Sequence, residues 1–196
     1  MPKLELQPKE EANNKPYDPK QKQPGEASAL IFLWISLVVI VVDLGTKYLA
    51  STMIEYGHAI YVMPYFDLTL LHNPGAAFSF LADAGGWQRW FFTAIAVGVS
   101  IMLITWLYKL PRHQKWLAVA LALILGGALG NLYDRVMYGY VIDFLSVHGE
   151  IFQWLTGSPR FPAFNIADSA ISAGAVMMII DVIKEMQEER KAKQNS

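Results

Sequence analysis

Residues 116–133 read WLAVALALILGGALGNLY, an uncharged run of 18 positions that is long enough to cross the apolar core of a bilayer as one helix. Within it, Gly126 and Gly130 predict close packing against a neighbouring helix. Three further apolar runs flank this stretch in the chain. They are residues 27–50, 90–108 and 166–183. We therefore predict four transmembrane helices.

The charged residues are concentrated at the two ends of the chain. Of 33 Asp, Glu, Lys and Arg residues, ten lie in residues 1–26 and seven in residues 184–196, which leaves 16 for the long middle segment. So few charges cannot cover the surface of an ordinary soluble protein. The net charge of −1 argues against nucleic-acid binding, and the absence of cysteine excludes disulfides and thiolate chemistry. The composition predicts an all-α membrane protein in contact with lipids.

The positive charges predict how the helices are oriented. Four spans place both termini on one side, and grouping the tails with the 109–115 loop puts 12 Lys and Arg residues there against four opposite. Cytoplasmic segments carry excess Lys and Arg, so both termini are predicted to be cytoplasmic. Residues 1–26 are rich in Pro, Lys, Glu and Gln, which predicts a disordered tail. We therefore predict a membrane domain over residues 27–183 and a short cytoplasmic tail over residues 184–196.

The connectors on the other side differ in pattern. Residues 59–72 alternate apolar residues with β-formers and are interrupted by Pro64, which predicts a short hairpin. Residues 139–164 contain Pro159 and Pro162, which predict a loop.

Several polar side chains lie at span ends, where a bilayer makes them costly, and each is therefore a candidate functional residue. They are Asp43, Asn131, Asp134, Arg135, Asp143, Asn165 and Asp168. For some of these residues, a purely structural role competes with a functional one. Asp134 and Arg135 could form an ion pair that ends a helix, and Asn165 could cap the fourth helix. Asp143, which lies in an apolar run, has no such explanation.

Two carboxylates from separate elements at the edge of an apolar phase are what aspartic peptide hydrolysis requires. Like charges held close together cannot both ionise, so the pair shares one proton. The ionised group then takes a proton from water, and the neutral one donates to the scissile carbonyl oxygen. The residues alone leave two alternatives open: a proton-coupled transporter with a carboxylate relay, and a purely structural four-helix protein.

Zinc and serine chemistry are poorly supported. The chain has no HExxH motif, and its four histidines are scattered from His58 to His148. Neither Ser79 nor Ser169 lies in the pattern of a nucleophile elbow. We expect no metal and no cofactor.

Five motifs occur in an order typical of one family. They are Asp43-Leu-Gly-Thr-Lys47, Asn73-Pro-Gly-Ala-Ala-Phe-Ser79, Gly126-Gly-Ala-Leu-Gly-Asn-Leu-Tyr-Asp-Arg135, Gly139-Tyr-Val-Ile-Asp-Phe144 and Phe164-Asn-Ile-Ala-Asp-Ser169. Over about residues 30–183 the chain closely resembles the bacterial lipoprotein signal peptidases, also called type II signal peptidases. A presenilin-like protease fits less well, because Tyr133-Asp134 matches the first half of that family's paired motif and the second half is absent.

The resemblance implies a four-helix aspartic endopeptidase of the bacterial inner membrane with its site near the periplasmic face. Such enzymes remove the signal peptide of diacylglyceryl-modified prolipoproteins by cleaving before the lipidated cysteine. By this mapping Asp143 and Asp168 form the catalytic pair. The supporting polar residues are Asp43, Asn73, Asn131, Asp134, Arg135 and Asn165. The antibiotic globomycin is expected to occupy the same cleft, and we expect a monomer.

Overall fold

The computed structural model describes residues 22, 25–75 and 87–194. In chain order its elements are a 3-10 helix (Ala29–Phe32), α1 (Leu33–Met53), β1 (Ala59–Met63), β2 (Phe66–Asn73), α2 (Trp87–Lys109), α3 (Lys115–Met137), β3 (Val141–Val147), α4 (Glu150–Thr156) and α5 (Ile166–Gln194). Helices α1, with its 3-10 turn, α2, α3 and α5 are each long and apolar enough to cross a membrane. The predicted all-α membrane fold with a small β element is confirmed. The predicted disordered tail lies almost wholly outside the described residues.

Helix α3 is the centre of the bundle, and α1, α2 and α5 pack around it. The close approach of α1 depends on the two glycines of α3 at four-residue spacing. A Cβ at Gly126 would lie 2.9 Å from the carbonyl oxygen of Ser36, and one at Gly130 would collide with the Asp43 carboxylate. The predicted packing role of these glycines is confirmed.

One end of the bundle gathers the loop at residues 110–114 and both ends of the described chain. The Ala29 backbone N–H donates to the Leu110 carbonyl at 2.9 Å, and the Lys184 ammonium lies 5.0 Å from the centre of the Trp116 ring. We call this end the loop side. The opposite end, which the three strands cover, is called the sheet side.

The strands form one antiparallel sheet in the order β1-β2-β3. The predicted hairpin is confirmed, with its turn at Pro64 and Tyr65. The loop predicted for residues 139–164 is wrong in part, because this segment contains β3 and α4. Most of β3 is buried, so its side chains lack the apolar and polar alternation that reveals a half-exposed strand.

The register of β2 and β3 sorts their side chains onto two faces. Leu71 lies opposite Asp143, and His72 lies opposite Ile142. Opposite residues of an antiparallel pair share a face, and consecutive residues alternate. Asn73 and Asp143 therefore project to one face of the sheet end, while His72 and Ile142 project to the other.

Candidate active site

All eight predicted site residues lie at the sheet side of the bundle. They come from α1 (Asp43), the end of β2 (Asn73), the last turns of α3 (Asn131, Asp134 and Arg135), β3 (Asp143) and the start of α5 (Asn165 and Asp168). Residues 76–79 of the second motif lie outside the described residues. Among the described residues, no three His, Asp or Glu side chains are grouped so as to hold a metal ion.

Helix α5 begins with a reciprocal pair of hydrogen bonds that positions Asn165 and Asp168. The Asp168 backbone N–H donates to Asn165 Oδ1 at 2.9 Å, and the Asn165 backbone N–H donates to Asp168 Oδ2 at 3.2 Å. This is the capping-box arrangement. The predicted cap at Asn165 is confirmed, and Asp168 is fixed at the positive end of the helix dipole.

Asn165 also joins the two carboxyl groups. Its side-chain amide donates to Asp143 Oδ1 at 2.8 Å, while its backbone N–H reaches Asp168. The same amide group lies 3.1 Å from Asn131 Oδ1 and 3.2 Å from the Ile142 carbonyl oxygen. Because Asn165 is fully buried, these contacts hold it in one position. One residue therefore links an acid on a strand to an acid on a helix.

Asp143 lies on β3 and is 3% exposed. Its second oxygen, Oδ2, accepts a hydrogen bond from Asn73 Nδ2 at 3.1 Å, and Asn73 is itself held by the Gly75 N–H at 2.9 Å. Burial, together with the nearby charge of Asp168, raises the pKa of Asp143 to about 7. A carboxyl group in this environment keeps its proton in a large fraction of molecules at neutral pH.

Asp168 has a different environment, because it is only half-buried and surrounded by donors. Asn131 Nδ2 donates to Asp168 Oδ1 at 2.7 Å, and the Asn165 backbone donates to Oδ2. The Arg135 guanidinium also interacts electrostatically with Asp168 and, less strongly, with Asp143. These groups stabilise a negative charge on Asp168. Two carboxyl groups in such unequal surroundings can serve as an acid and a base.

Lys47 is a site residue that the sequence prediction omitted. It is 1% exposed, and its ammonium group lies 2.7 Å from Asp43 Oδ2, 2.8 Å from Asp134 Oδ2 and 3.0 Å from Asn131 Oδ1. Three acceptors use the three N–H donors of the ammonium group. Because Asn131 turns its oxygen toward Lys47, its NH₂ group faces Asp168. The available signal was a lysine four residues after Asp43 in an otherwise apolar helix.

Asp43 and Asp134 tie elements of the site together. Asp43 Oδ1 accepts a hydrogen bond from the Ala167 N–H at 2.8 Å, which attaches the start of α5 to α1. Asp134 Oδ2 accepts one from the Ile142 N–H at 3.1 Å, which attaches β3 to α3. These two acids position the elements on which Asp168 and Asp143 lie.

The predicted ion pair between Asp134 and Arg135 is wrong. Consecutive helical residues point about 100° apart and do not face each other. Asp134 pairs with Lys47, whereas Arg135 Nη1 donates to the Asn131 carbonyl oxygen at 3.3 Å. The guanidinium also lies 5.5 Å from the centre of the Phe92 ring of α2. Arg135 therefore lies on the same side of α3 as the two carboxyl groups of the site.

The chain is similar in sequence to other proteins over most of its length. A family model described as signal peptidase (SPase) II matches residues 35–184. The lipoprotein signal peptidase of Pseudomonas putida is 51% identical over 166 residues, which are 84% of this chain and 94% of that protein. The lipoprotein signal peptidase of Alteromonas mediterranea is 54% identical over 157 residues, which are 80% of this chain and 82% of that protein.

Two solved structures described as bacterial membrane enzymes share the fold. One has a TM-score of 0.69 at 30% identity and covers 86% of this chain and 94% of its own. The other has a TM-score of 0.66 at 30% identity and covers 86% and 99%. Because the family model spans well over half of the sequence and close relatives span most of it, the chain belongs to the signal peptidase II family of membrane proteases.

Proposed function

We propose that this membrane protease removes the signal peptide of diacylglyceryl-modified prolipoproteins by cleaving before the lipidated cysteine, with Asp143 and Asp168 as its catalytic pair. The names of the relatives support the substrate class, since both are called lipoprotein signal peptidases. The observation that carries the residue assignment is the joining of two unequal carboxyl groups by Asn165.

The two acids are suited to complementary proton transfers. Ionised Asp168 takes a proton from water as the water oxygen attacks the scissile carbonyl carbon, and protonated Asp143 donates its proton to the carbonyl oxygen. A neutral tetrahedral diol results. As the C–N bond breaks, Asp168 gives its proton to the leaving nitrogen and Asp143 takes one from a diol hydroxyl, which restores both groups. Asn73, Asn131, Arg135 and Asn165 hold the acids and offer donors to the developing charge.

We propose that the signal peptide enters between α2 and α5. Among the described elements, α2 packs on α3 and on the 3-10 helix but does not contact α5. Asp168, at the start of α5, is half-buried, and the Arg135 guanidinium that interacts with it lies 5.5 Å from the centre of the Phe92 ring of α2. A globomycin-type inhibitor would block cleavage by occupying the same cleft.

The proposed location is the bacterial inner membrane, with the sheet side facing the periplasm and both termini in the cytoplasm. By sequence, the tails and the 109–115 loop together carry 12 Lys and Arg residues, against four in the rest of the chain. We propose that the enzyme acts as a monomer, because the pair Asp143 and Asp168 is assembled within one chain.

The test is cleavage of a purified lipidated prolipoprotein by Asp143→Asn, Asp168→Asn and the double variant. Each single variant should lose at least about 10³-fold in rate and be nearly as inactive as the double, because groups that act as a unit are non-additive. Asp181→Asn, an aspartate of α5 toward the loop side, serves as the matched control and should keep its activity. An unlipidated substrate should not be cleaved.

Melting temperatures in the same detergent separate chemistry from folding. Appreciable cleavage by a well-folded single variant would refute the assignment of the pair. Equal cleavage of lipidated and unlipidated substrate would refute the substrate class.

A further inference from the structure

The connector between β3 and α5 projects α4 away from the rest of the molecule. The Gly149 backbone N–H donates to the Pro159 carbonyl oxygen at 2.8 Å, which closes residues 149–159 into a loop that contains α4. We call this segment the α4 loop. No described helix or strand packs against α4. Trp154 is 81% exposed, the largest fraction among the large apolar side chains of the described residues, and Ile151 is 60% exposed. These two side chains share one face of α4, because they are three positions apart.

The base of the α4 loop is fixed to the sheet by polar contacts. Arg160 Nη1 donates to Asp67 Oδ2 at 2.9 Å and to Ser146 Oγ at 3.1 Å, which joins the base to β2 and β3. The His148 backbone N–H donates to the Tyr65 carbonyl oxygen at 3.0 Å. Asp67 is buried and compensates the charge of Arg160. The base is thus electrostatically neutralised, and it holds the apolar face of α4 outward.

Helix α4 begins beside the turn of the hairpin. A Cβ at Gly149 would lie 3.4 Å from Tyr65 Cδ1, and Tyr65 and Ile151 line one cavity. Tyr65 is exposed, and so are all five side chains of β1. The apolar face of α4 therefore continues into an exposed apolar and aromatic hairpin. A contiguous apolar surface of this kind marks an interaction site.

An apolar groove connects this hairpin to the lipid-facing side of α1. Its lining includes Leu49 and Met53 of α1, Ile60 of β1 and Leu68 of β2. Leu49 and Met53 are exposed on a helix that is long and apolar enough to cross the membrane, so lipid that covers them also reaches β1. Tyr65 is three residues from Leu68, about 10 Å along the strand. The headgroup layer is roughly 5–8 Å thick on each side of the apolar core, so the hairpin turn and α4 lie within its reach.

The exposed side chains fit a lipid surface better than a second protein strand. The register shift between Tyr61 and Met63 marks a bulge in β1, and bulges disfavour the pairing of an edge strand with another chain. Trp and Tyr are enriched at the level of lipid headgroups, because each has an apolar ring and a polar N–H or O–H. Headgroups and water can also bond to the open edge of β1, which the apolar core cannot do. We propose that Ile151 and Trp154 anchor the α4 loop in the headgroup layer of the bilayer that the four helices cross.

The test is the depth of nitroxide spin labels on single cysteines of the full-length protein in phosphatidylcholine liposomes. The chain has no cysteine, so each label reports one position. Power saturation compares the access of oxygen, which concentrates in lipid, with that of a water-soluble nickel chelate. The oxygen-to-nickel ratio at Ile151→Cys should be several-fold higher than at Gln153→Cys. Gln153 is the matched control, because it is exposed and lies about 200° around α4 from Ile151.

Substitution of Trp154 in the Ile151→Cys protein tests the anchor itself. Trp154→Ser should lower the ratio at residue 151 to about the value at Gln153→Cys. Trp154→Tyr keeps an interfacial side chain and should keep most of the ratio. Melting temperatures confirm that the variants fold. If Ile151→Cys does not fold, a label at Trp154→Cys takes its place in the comparison with Gln153→Cys.

Three outcomes would overturn the proposal. A ratio at residue 151 no higher than at residue 153 would show that this face of α4 does not enter lipid. Spin–spin broadening between labels at residue 151 would show that a second copy of the chain covers the face. Protection from nickel only after a prolipoprotein is added would indicate a peptide-binding surface. None of these measurements requires cleavage, so the anchor and the peptidase assignment can fail separately.

Discussion

The two halves of helix α3 lie in regions of opposite chemistry. On the loop side, Leu117 and Leu121 pack with Leu107 of α2 in an apolar core that is almost completely buried. On the sheet side, Asn131 and Asp134 belong to a network of ion pairs and hydrogen bonds that joins α1, β3 and α5. Helix α3 is thus held by apolar packing at one end and by directed polar contacts at the other.

The two regions differ in how they tolerate substitutions. Apolar packing is non-directional, so a lost methyl group weakens the core without redirecting its neighbours. In a buried polar network, each partner depends on the others, and an unpaired group costs the full price of its desolvation. We therefore expect loop-side substitutions to change stability alone, and sheet-side substitutions to change stability and catalysis together.

The largest combined effect is expected for Lys47→Met. The substitution leaves Asp43 and Asp134 without their shared cation and releases Asn131, so it should cost about 3–5 kcal/mol of stability and most of the activity. Leu121→Ala, its loop-side counterpart, should cost about 2–5 kcal/mol but leave the folded fraction active. Thermal unfolding and cleavage rates per folded enzyme measure both. A stable, active Lys47→Met protein would contradict the division into two regions.

Substitutions at Asn165 can separate its role as a helix cap from its proposed role in catalysis. Asn165→Ala should lose roughly 10²-fold in cleavage rate and about 1 kcal/mol of stability, because it removes both the donor to Asp143 and the cap of α5. Asn165→Ser keeps a capping oxygen and lacks the amide donor, so it should melt near the unsubstituted protein and still be slow. If Asn165→Ser recovers full activity, the amide contact to Asp143 has no role in the reaction.

The pH dependence follows from Asp143. Its folded pKa of about 7 lies above its ordinary value of 3.8, so the stability linked to its proton is complete below pH 3.8 and is lost as the pH rises through about 7. If Asp143 is the general acid as proposed, cleavage should fall as the pH rises above about 7, because Asp143 then loses its proton. Asp143→Asn cannot titrate, and its melting temperature should decline less than that of the unsubstituted protein over this range. Parallel melting curves would show that Asp143 is not the titrating group.

The smallest effect is expected at the loop-side tail. Deleting residues 2–26 should leave cleavage largely intact, because this segment is poor in apolar residues and is predicted to lie across the membrane from the site residues. The structure adds a sharper version. Deleting only residues 2–21 keeps the contacts of Lys22 and Glu26 with Lys109 and His113, so this deletion should lower the melting temperature less than deletion of residues 2–26 does. A tenfold loss of rate at matched folded concentration would connect the tail to the sheet side.

Predictability from the sequence also differs between the two regions. On the loop side, the length and apolarity of the runs were sufficient to predict the helices, because the packing there depends on side-chain volume. On the sheet side, the polar residue types were visible, and Asn165 was correctly assigned as a cap. The pairing of Asp134 with Lys47 instead of Arg135 was not visible, because it depends on the rotation of α1 relative to α3.

The four spans and the set of polar residues can be predicted from the amino-acid sequence alone, because a bilayer accepts only long apolar helices and makes every polar exception conspicuous. The hairpin can be predicted as well, from the alternating pattern of residues 59–72. Three other features are visible only in the folded chain: residues 141–147 pair with β2, Lys47 contacts Asn131 across 84 positions of sequence, and Asp143 and Asp168 have unequal surroundings. These features depend on burial and on contacts between distant segments, and neither can be read from local composition.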